Sequence, residues 1–129
     1  MSDTPLVSVV MPCLNEEAAI GSCIEKIQNT FNQAGIDGEI VVCDNGSTDR
    51  SVEIAESMGI KVVHQSLRGY GNAYLKGFNS ARGKYLIMGD ADDTYDFRLI
   101  PQFLDALING AYDFVTGSRF LGKKGLENN

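Results

Sequence analysis

A chain of 129 residues, 43% hydrophobic and 22% charged, has the make-up of one globular domain, which speaks against disorder. Its formal net charge of −6 speaks against a nucleic-acid binder, which presents a basic face, and against simple adhesion to anionic lipid. Cys13, Cys23 and Cys43 are odd in number with no C-x-x-C spacing. No signal peptide is visible, and the apolar runs are far shorter than the ~18–20 residues of a membrane span. The expected setting is therefore cytoplasmic, at most the cytoplasmic face of a membrane in a longer protein.

Taken in chain order, short apolar runs alternate with segments of helical period. "LVSVVM" (6–11) is a β-branched run that ends at Pro12. Ile20, Cys23, Ile24, Ile27 and Phe31 then recur at helical spacing, with Asn15 as the candidate N-cap and Glu16 and Glu17 in the first turn. "EIVVCD" (39–44) is a second strand. Ser47 or Thr48 is placed to cap a helix with Val52, Ala55 and Met58 inward, stopped at Gly59. "IKVVHQ" (60–65) is a third strand, followed by the glycine-bearing loop "RGYG" (68–71) and a helix with Tyr74, Phe78 and Ala81 on its inner side. "KYLIMGD" (84–90) is a fourth strand. Asp96 is a candidate cap for a helix with Ile100, Phe103, Leu104, Leu107 and Ile108 inward, with Pro101 in its first turn. "YDFVTGSR" (112–119) reads as a fifth strand, and 122–129 as a polar tail.

The βαβαβαβαβ pattern predicts an α/β fold: a mostly parallel sheet covered by helices on both faces. Ligands of such sheets bind beyond the carboxyl ends of the strands. The polar segments "PCLNEE", "DNGSTD", "RGYGN" and "DADD" all fall there.

Asp90 and Asp92 are two residues apart, so in extended chain they face one side while Ala91 faces the other. Paired carboxylates suit Mg²⁺ or Mn²⁺ completed by water and phosphate, although a solvated loop explains Asp-x-Asp in isolation. Asp93 is undecided between the two. The glycine and terminal glutamate of an EF-hand are missing. Asp44 and Asn45 carry groups for the edge of a base or ribose, while "DNGSTD" is equally a plain turn. Arg68 and its glycines would let backbone and charge approach an anion at a helix start, and a flexible loop is the simpler alternative. His64 lacks a partner at metal-ligand spacing, and the cysteines read as small core residues.

Together "VSVVMPCLNEEAAI", "EIVVCDNGSTDRSVEIA", "RGYGNAYLKGFNSARGKYLIMGDADDTYDF" and "FVTGSRF" resemble family 2 glycosyltransferases, most of all the dolichyl- and polyprenyl-phosphate sugar transferase branch. The resemblance covers residues 6 to about 121. It implies the Rossmann-like, nucleotide-binding half of a GT-A fold over 1–121, bound to a nucleotide-diphosphate sugar (UDP- or GDP-linked). Pro12, Leu14, Asn15 and Glu16 match the loop beside the nucleoside. Asp44 and Asn45 match the pair at the base, where a second carboxylate is commoner than Asn45. Arg68, Gly69 and Gly71 match the loop near the diphosphate, and Asp90, Ala91 and Asp92 match the metal motif, with Asp90 and Asp92 as ligands of Mg²⁺ or Mn²⁺.

The implied chemistry is sugar transfer with inversion to a lipid phosphate such as polyprenyl phosphate, or to a glycan hydroxyl. The acceptor half, and any general base, would be expected beyond Asn129. A non-catalytic nucleotide-sugar-binding fragment is the alternative, and an Mg²⁺-binding receiver-like domain a more distant one. A receiver would carry a lysine after its last strand, where "TGSRF" stands instead.

Overall fold

The computed structural model describes residues 4–92, 96–110, 114–115 and 120–121, the last four as backbone only. The expected Asp93, most of the strand expected over 112–119, and the tail at 122–129 lie outside the described residues.

β1 (Val7–Cys13), β2 (Gly38–Asp44), β3 (Lys61–His64) and β4 (Tyr85–Met88) form one parallel sheet in the order β3-β2-β1-β4. Helices α1 (Ile20–Ala34), α2 (Ser51–Ser57), α3 (Tyr70–Ser80) and α4 (Ile100–Ile108) connect or follow these strands. β1 is buried throughout and runs two residues beyond "LVSVVM", through Pro12 to Cys13. β4 pairs β1 only up to Val10, so Pro12 stands where β1 has lost one ladder neighbour and its missing N–H is tolerated. The short β5 (Phe114–Val115) and β6 (Phe120–Leu121) make a separate antiparallel pair. The described part of the expected fifth strand, Phe114 and Val115, thus pairs antiparallel with β6 and not within the main sheet.

The two sheet faces are packed differently. Val7, Val9, Met11, Ile40, Val42 and Ile87 point toward α1, α2 and α4, meeting Ile20, Ile24, Ile27, Ala55, Ile100 and Phe103 in one apolar cluster. Each such fully buried aliphatic side chain contributes about 1.5–3 kcal/mol relative to exposure. α1 ends at Gly35, whose φ of 66° is the left-handed conformation that closes a helix. α4 buries Ile100, Phe103 and Leu104, whereas Ile108, expected inside, is 48% exposed. Ile108 is the last residue of the helix, beyond its buried positions.

α3 covers the other face and turns Ala73 and Gly77 to the strands rather than Tyr74 and Phe78. Small residues four apart let this helix approach closely, and a β-carbon on Gly77 would collide with the Val10 side chain. Tyr74 and Phe78 lie half-buried on the flank, their rings stacked with centroids 5.7 Å apart. Helices thus lie on both faces of a parallel sheet.

Candidate functional site

Register brings three strand ends to one level. Cys13 pairs with Asp44, and Asp44 with His64. β4 stops at Met88, so Asp90 begins the acidic segment two residues beyond it.

The loops after β1 and β2 are stitched together. Asn15 does not cap α1, which begins at Ile20 after Ala19 with no side-chain cap. It sits at φ 56°, a conformation Asn tolerates. Its Oδ1 accepts from the backbone N–H of Thr48 (2.8 Å) and of Asp49 (3.3 Å), and its own N–H donates to Ser47 Oγ (2.9 Å). Glu16 N–H donates to Ser51 Oγ at 2.8 Å and Glu17 N–H to Asp49 Oδ2 at 3.1 Å. Neither Ser47 nor Thr48 caps α2, which starts after Arg50 with no side-chain cap, while Asp49 Oδ1 accepts from both the N–H and the hydroxyl of Ser51 at the helix start. Glu16 and Glu17 consequently belong to the loop, not to a first helical turn.

Beyond β2, Asp44 and Asn45 diverge. Asp44 Oδ2 accepts from the N–H groups of Gly46 and Ser47, both at 3.1 Å, and lies 3.8 Å from His64 Nδ1. Asp44 Oδ1 is buried and meets no donor among the described residues, an arrangement that costs stability unless a ligand supplies one. Asn45 instead spends its amide on the chain. Nδ2 donates to the carbonyls of Gln65 (2.8 Å) and Leu67 (2.9 Å), and Oδ1 accepts from Gly69 N–H (2.9 Å). Both amide hydrogens are taken, so the expected donation from Asn45 to a base edge has no hydrogen left.

Pro12, Cys13, Leu14, Asn45, Arg68, Gly69 and Tyr70 line a cleft of about 130 Å³ between the β1 loop and the start of α3. Gly69, at φ 115°, is the backbone pivot there. Arg68 is exposed, its guanidinium lying 3.9 Å from where a β-carbon on Gly46 would stand. Gly71 falls inside the first turn of α3 rather than in a loop, with open space around it. A larger cleft of about 300 Å³ opens at the opposite strand edge, lined by Phe31, Gly38, Glu39, Lys61 and Arg82 among others. Glu39 there is engaged by its own chain, so size does not single this cleft out as the site.

On the far side of the small cleft stand the acids. Ala91 is buried in the core while Asp90 and Asp92 are half-exposed. Tyr74 donates its hydroxyl to Asp90 Oδ1 at 3.0 Å. Burial raises the Glu16 carboxyl pKa above its ordinary value, and the charges of Asp92, Asp90 and Asp49 add to that effect. Burial likewise raises the Tyr70 phenol, with the same Asp90, Asp92 and Glu16 charges behind it. The site concentrates negative potential that a cation would relieve.

The oxygens of Asp90 and Asp92 are hard donors that fit Mg²⁺ or Mn²⁺. Among the described residues no three His, Cys, Asp or Glu side chains gather into a metal cage. Mg²⁺ takes one or two carboxylates and fills its remaining positions with phosphate oxygens and water.

Tyr70 and Tyr74 were not among the expected site residues. Their signal is an i, i+4 aromatic pair in the first turns of a helix that starts at a polar loop, with rings in edge contact at 6.4 Å.

A parallel sheet covered on both faces, with its polar loops at the carboxyl edge, is a Rossmann-like nucleotide-binding arrangement of the GT-A type. The chain belongs to glycosyl transferase family 2, whose family model matches residues 8–129. It is 47% identical over 119 residues to the low-salt glycan biosynthesis hexosyltransferase Agl6 of Haloferax volcanii, covering 92% of this chain and 29% of that protein. It is 42% identical to a dolichyl-phosphate hexose transferase of the same organism, covering 88% and 47%. Among solved structures, glucosyl-3-phosphoglycerate synthase of Mycobacterium tuberculosis in complex with UDP superimposes with a TM-score of 0.71 at 29% identity, covering 82% and 41%. The same enzyme with Mn²⁺, UDP and glucosyl-3-phosphoglycerate gives 0.68 at 30% identity, covering 80% and 39%. The chain thus spans less than half of each of these proteins. Family membership sets aside the receiver-like alternative.

Proposed function

We propose that these residues form the donor-binding part of a glycosyltransferase that holds a UDP- or GDP-linked sugar with Mg²⁺ or Mn²⁺. The sugar passes with inversion to an acceptor such as polyprenyl phosphate or a glycan hydroxyl. The observation that carries the reading is the juxtaposition, at one strand edge, of an anion-receptive side and a carboxylate pair. The amino end of α3, Gly69 and Arg68 attract a diphosphate, whereas Asp90 and Asp92 repel one unless a cation lies between.

Each residue then has a task. Pro12, Leu14 and Tyr70 wall the nucleoside cleft, and the unpaired Asp44 Oδ1 accepts an N–H from the base edge. Arg68 contacts the diphosphate by charge-assisted hydrogen bonds. Asp90, oriented by the Tyr74 hydroxyl, and Asp92 would hold the cation. Bound there, a divalent cation neutralises charge as it develops on the leaving diphosphate. Asn15 and Glu16 keep the first loop against the second.

Calorimetric titration with UDP and GDP, with and without Mn²⁺, tests this. Binding is expected to require the metal and to weaken about a hundredfold in Asp92→Ala. Metal-independent binding, unchanged in that variant, would remove the assignment of Asp90 and Asp92. Because the chain spans 29% and 47% of two relatives, a second reading is donor binding without turnover by these residues alone. A transfer assay on polyprenyl phosphate separates the two, since only the first yields product.

A further inference from the structure

Asn45 is 5% exposed and stands at the end of β2, yet its side-chain partners lie 20 to 24 residues further along the chain. The orientation of its amide follows from those partners. Two carbonyls can only accept, so Nδ2 faces Gln65 and Leu67, and the Gly69 N–H can only donate, so Oδ1 faces it. The last two contacts flank Arg68 on both sides: the carbonyl before it and the N–H after it are gripped by one side chain. Other bonds reinforce the same segment. Leu67 N–H donates to Gln65 Oε1 (3.0 Å), and Asn72 Nδ2 donates to the Arg68 carbonyl (2.9 Å). No strand or helix ladder runs through 65–69, so these side-chain bonds stand in for one.

From this geometry we infer that Asn45 is a positioning residue, a latch that fixes the backbone on either side of Arg68 and so sets how well the chain grips a diphosphate, whichever base is attached. The inference rests on the placement of Arg68 at the diphosphate proposed above. The residue type follows from the task. A side chain of this length must donate twice and accept once, which an amide does and a carboxylate cannot. Aspartate at position 45 would set a negative oxygen against two carbonyl oxygens, and the segment would have to move away. Sequence position alone made Asn45 a base reader; its partners make it a brace for the anion-binding side.

Asn45→Asp, nearly isosteric, and Asn45→Ser, which keeps one donor, are the variants to make in this chain. Three measurements decide the matter. Amide exchange without ligand is expected to speed up by about tenfold or more at Gly69 in both variants. In the unmodified chain that amide should exchange at least about tenfold more slowly than its intrinsic rate, a reading that needs no variant to fold. With Mn²⁺ present, Asn45→Asp should weaken UDP and GDP by the same factor, about tenfold, leaving their ratio unchanged. Added to Arg68→Ala, it should cost less than about threefold more, because the latch acts through that arginine.

A UDP-to-GDP ratio that shifts several-fold while Gly69 stays protected would overturn the latch and restore base reading. Full multiplication of the two losses would also overturn it. If the unmodified chain binds neither nucleotide, the donor reading fails by itself, and the exchange measurement still decides whether Asn45 holds the segment.

Discussion

At the amino edge of the sheet, Glu39 is surrounded by partners from its own chain. Its Oε2 accepts from the Ser8 hydroxyl and from the Arg82 N–H, both at 2.6 Å, and the Arg82 guanidinium lies 3.5 Å from Oε1. Ser8 in turn accepts from the Gly83 N–H at 2.8 Å. Burial works to raise the Glu39 pKa, but the Ser8 and Arg82 hydrogen bonds and the Lys61 and Arg82 charges outweigh it, and the carboxyl is held below its ordinary value. At the carboxyl end of the same strand, Asp44 keeps one buried oxygen without a donor, and across the cleft burial and neighbouring acids raise Glu16 instead. One strand therefore ends in a fully paired carboxylate and in another with one oxygen unpaired, the one the proposed donor site would use. Pairing, rather than burial or cleft size, distinguishes the two edges.

The comparison can be broken from either end. The largest effect is expected from Gly83→Ala, because a β-carbon there would stand 2.5 Å from the Ser8 nitrogen and 2.7 Å from the Val7 carbonyl carbon, both backbone atoms. Stability should fall by about 3 kcal/mol in a urea titration. At the other edge, Asp44→Asn keeps an oxygen for the Gly46 and Ser47 N–H groups and puts an amide where the unpaired oxygen was. Nucleotide affinity should fall about tenfold by calorimetry, with the melting temperature nearly unchanged.

Glu39→Gln should do the reverse at smaller size, costing about 1 kcal/mol at pH 7 and leaving nucleotide affinity alone. The sign with pH follows from a depressed folded pKa. The contribution is complete above the unfolded carboxylate pKa and is lost as pH falls through the lower folded one. Stability curves of Glu39→Gln and the unmodified chain should therefore converge in acid. If Asp44→Asn unfolded the chain while Glu39→Gln spared it, the two ends would have exchanged roles.

Much of this was legible in the chain itself. The short apolar runs mark β1 to β4, and Ile20, Cys23, Ile24, Ile27 and Phe31 mark the inner face of α1, because strand and helix periods are local. Parallel pairing and helices on both faces follow from the alternation. What stayed hidden was decided by partners distant in sequence. Asn15, Ser47, Thr48 and Asp49 are all competent caps, yet the contact between two loops more than thirty residues apart assigns Asn15 to the stitch, and α2 starts after Arg50 with no side-chain cap. Asn45 carries groups suited equally to a base or to a backbone, and the chain after β3 claims them. α3 was turned the wrong way because its large residues outweigh Ala73 and Gly77 in any periodicity, although the close approach to β1 needs the small ones inside. Ligand binding by Pro12, Leu14, Arg68, Gly69, Asp90 and Asp92 stands as the proposal the titrations above address.

Gly77 shows how far a core contact can reach. It carries no chemistry, yet α3 is a stiff rod resting on that point against Val10, with Tyr74 and its bond to Asp90 one turn away and its amino end another turn further, at the cleft. Anything that lifts the rod at Gly77 swings both. Under the donor binding proposed above, a methyl group added on the hidden side of the helix would thus register first as a loss of grip on cation and diphosphate together, a lesion whose origin lies wholly in the packing.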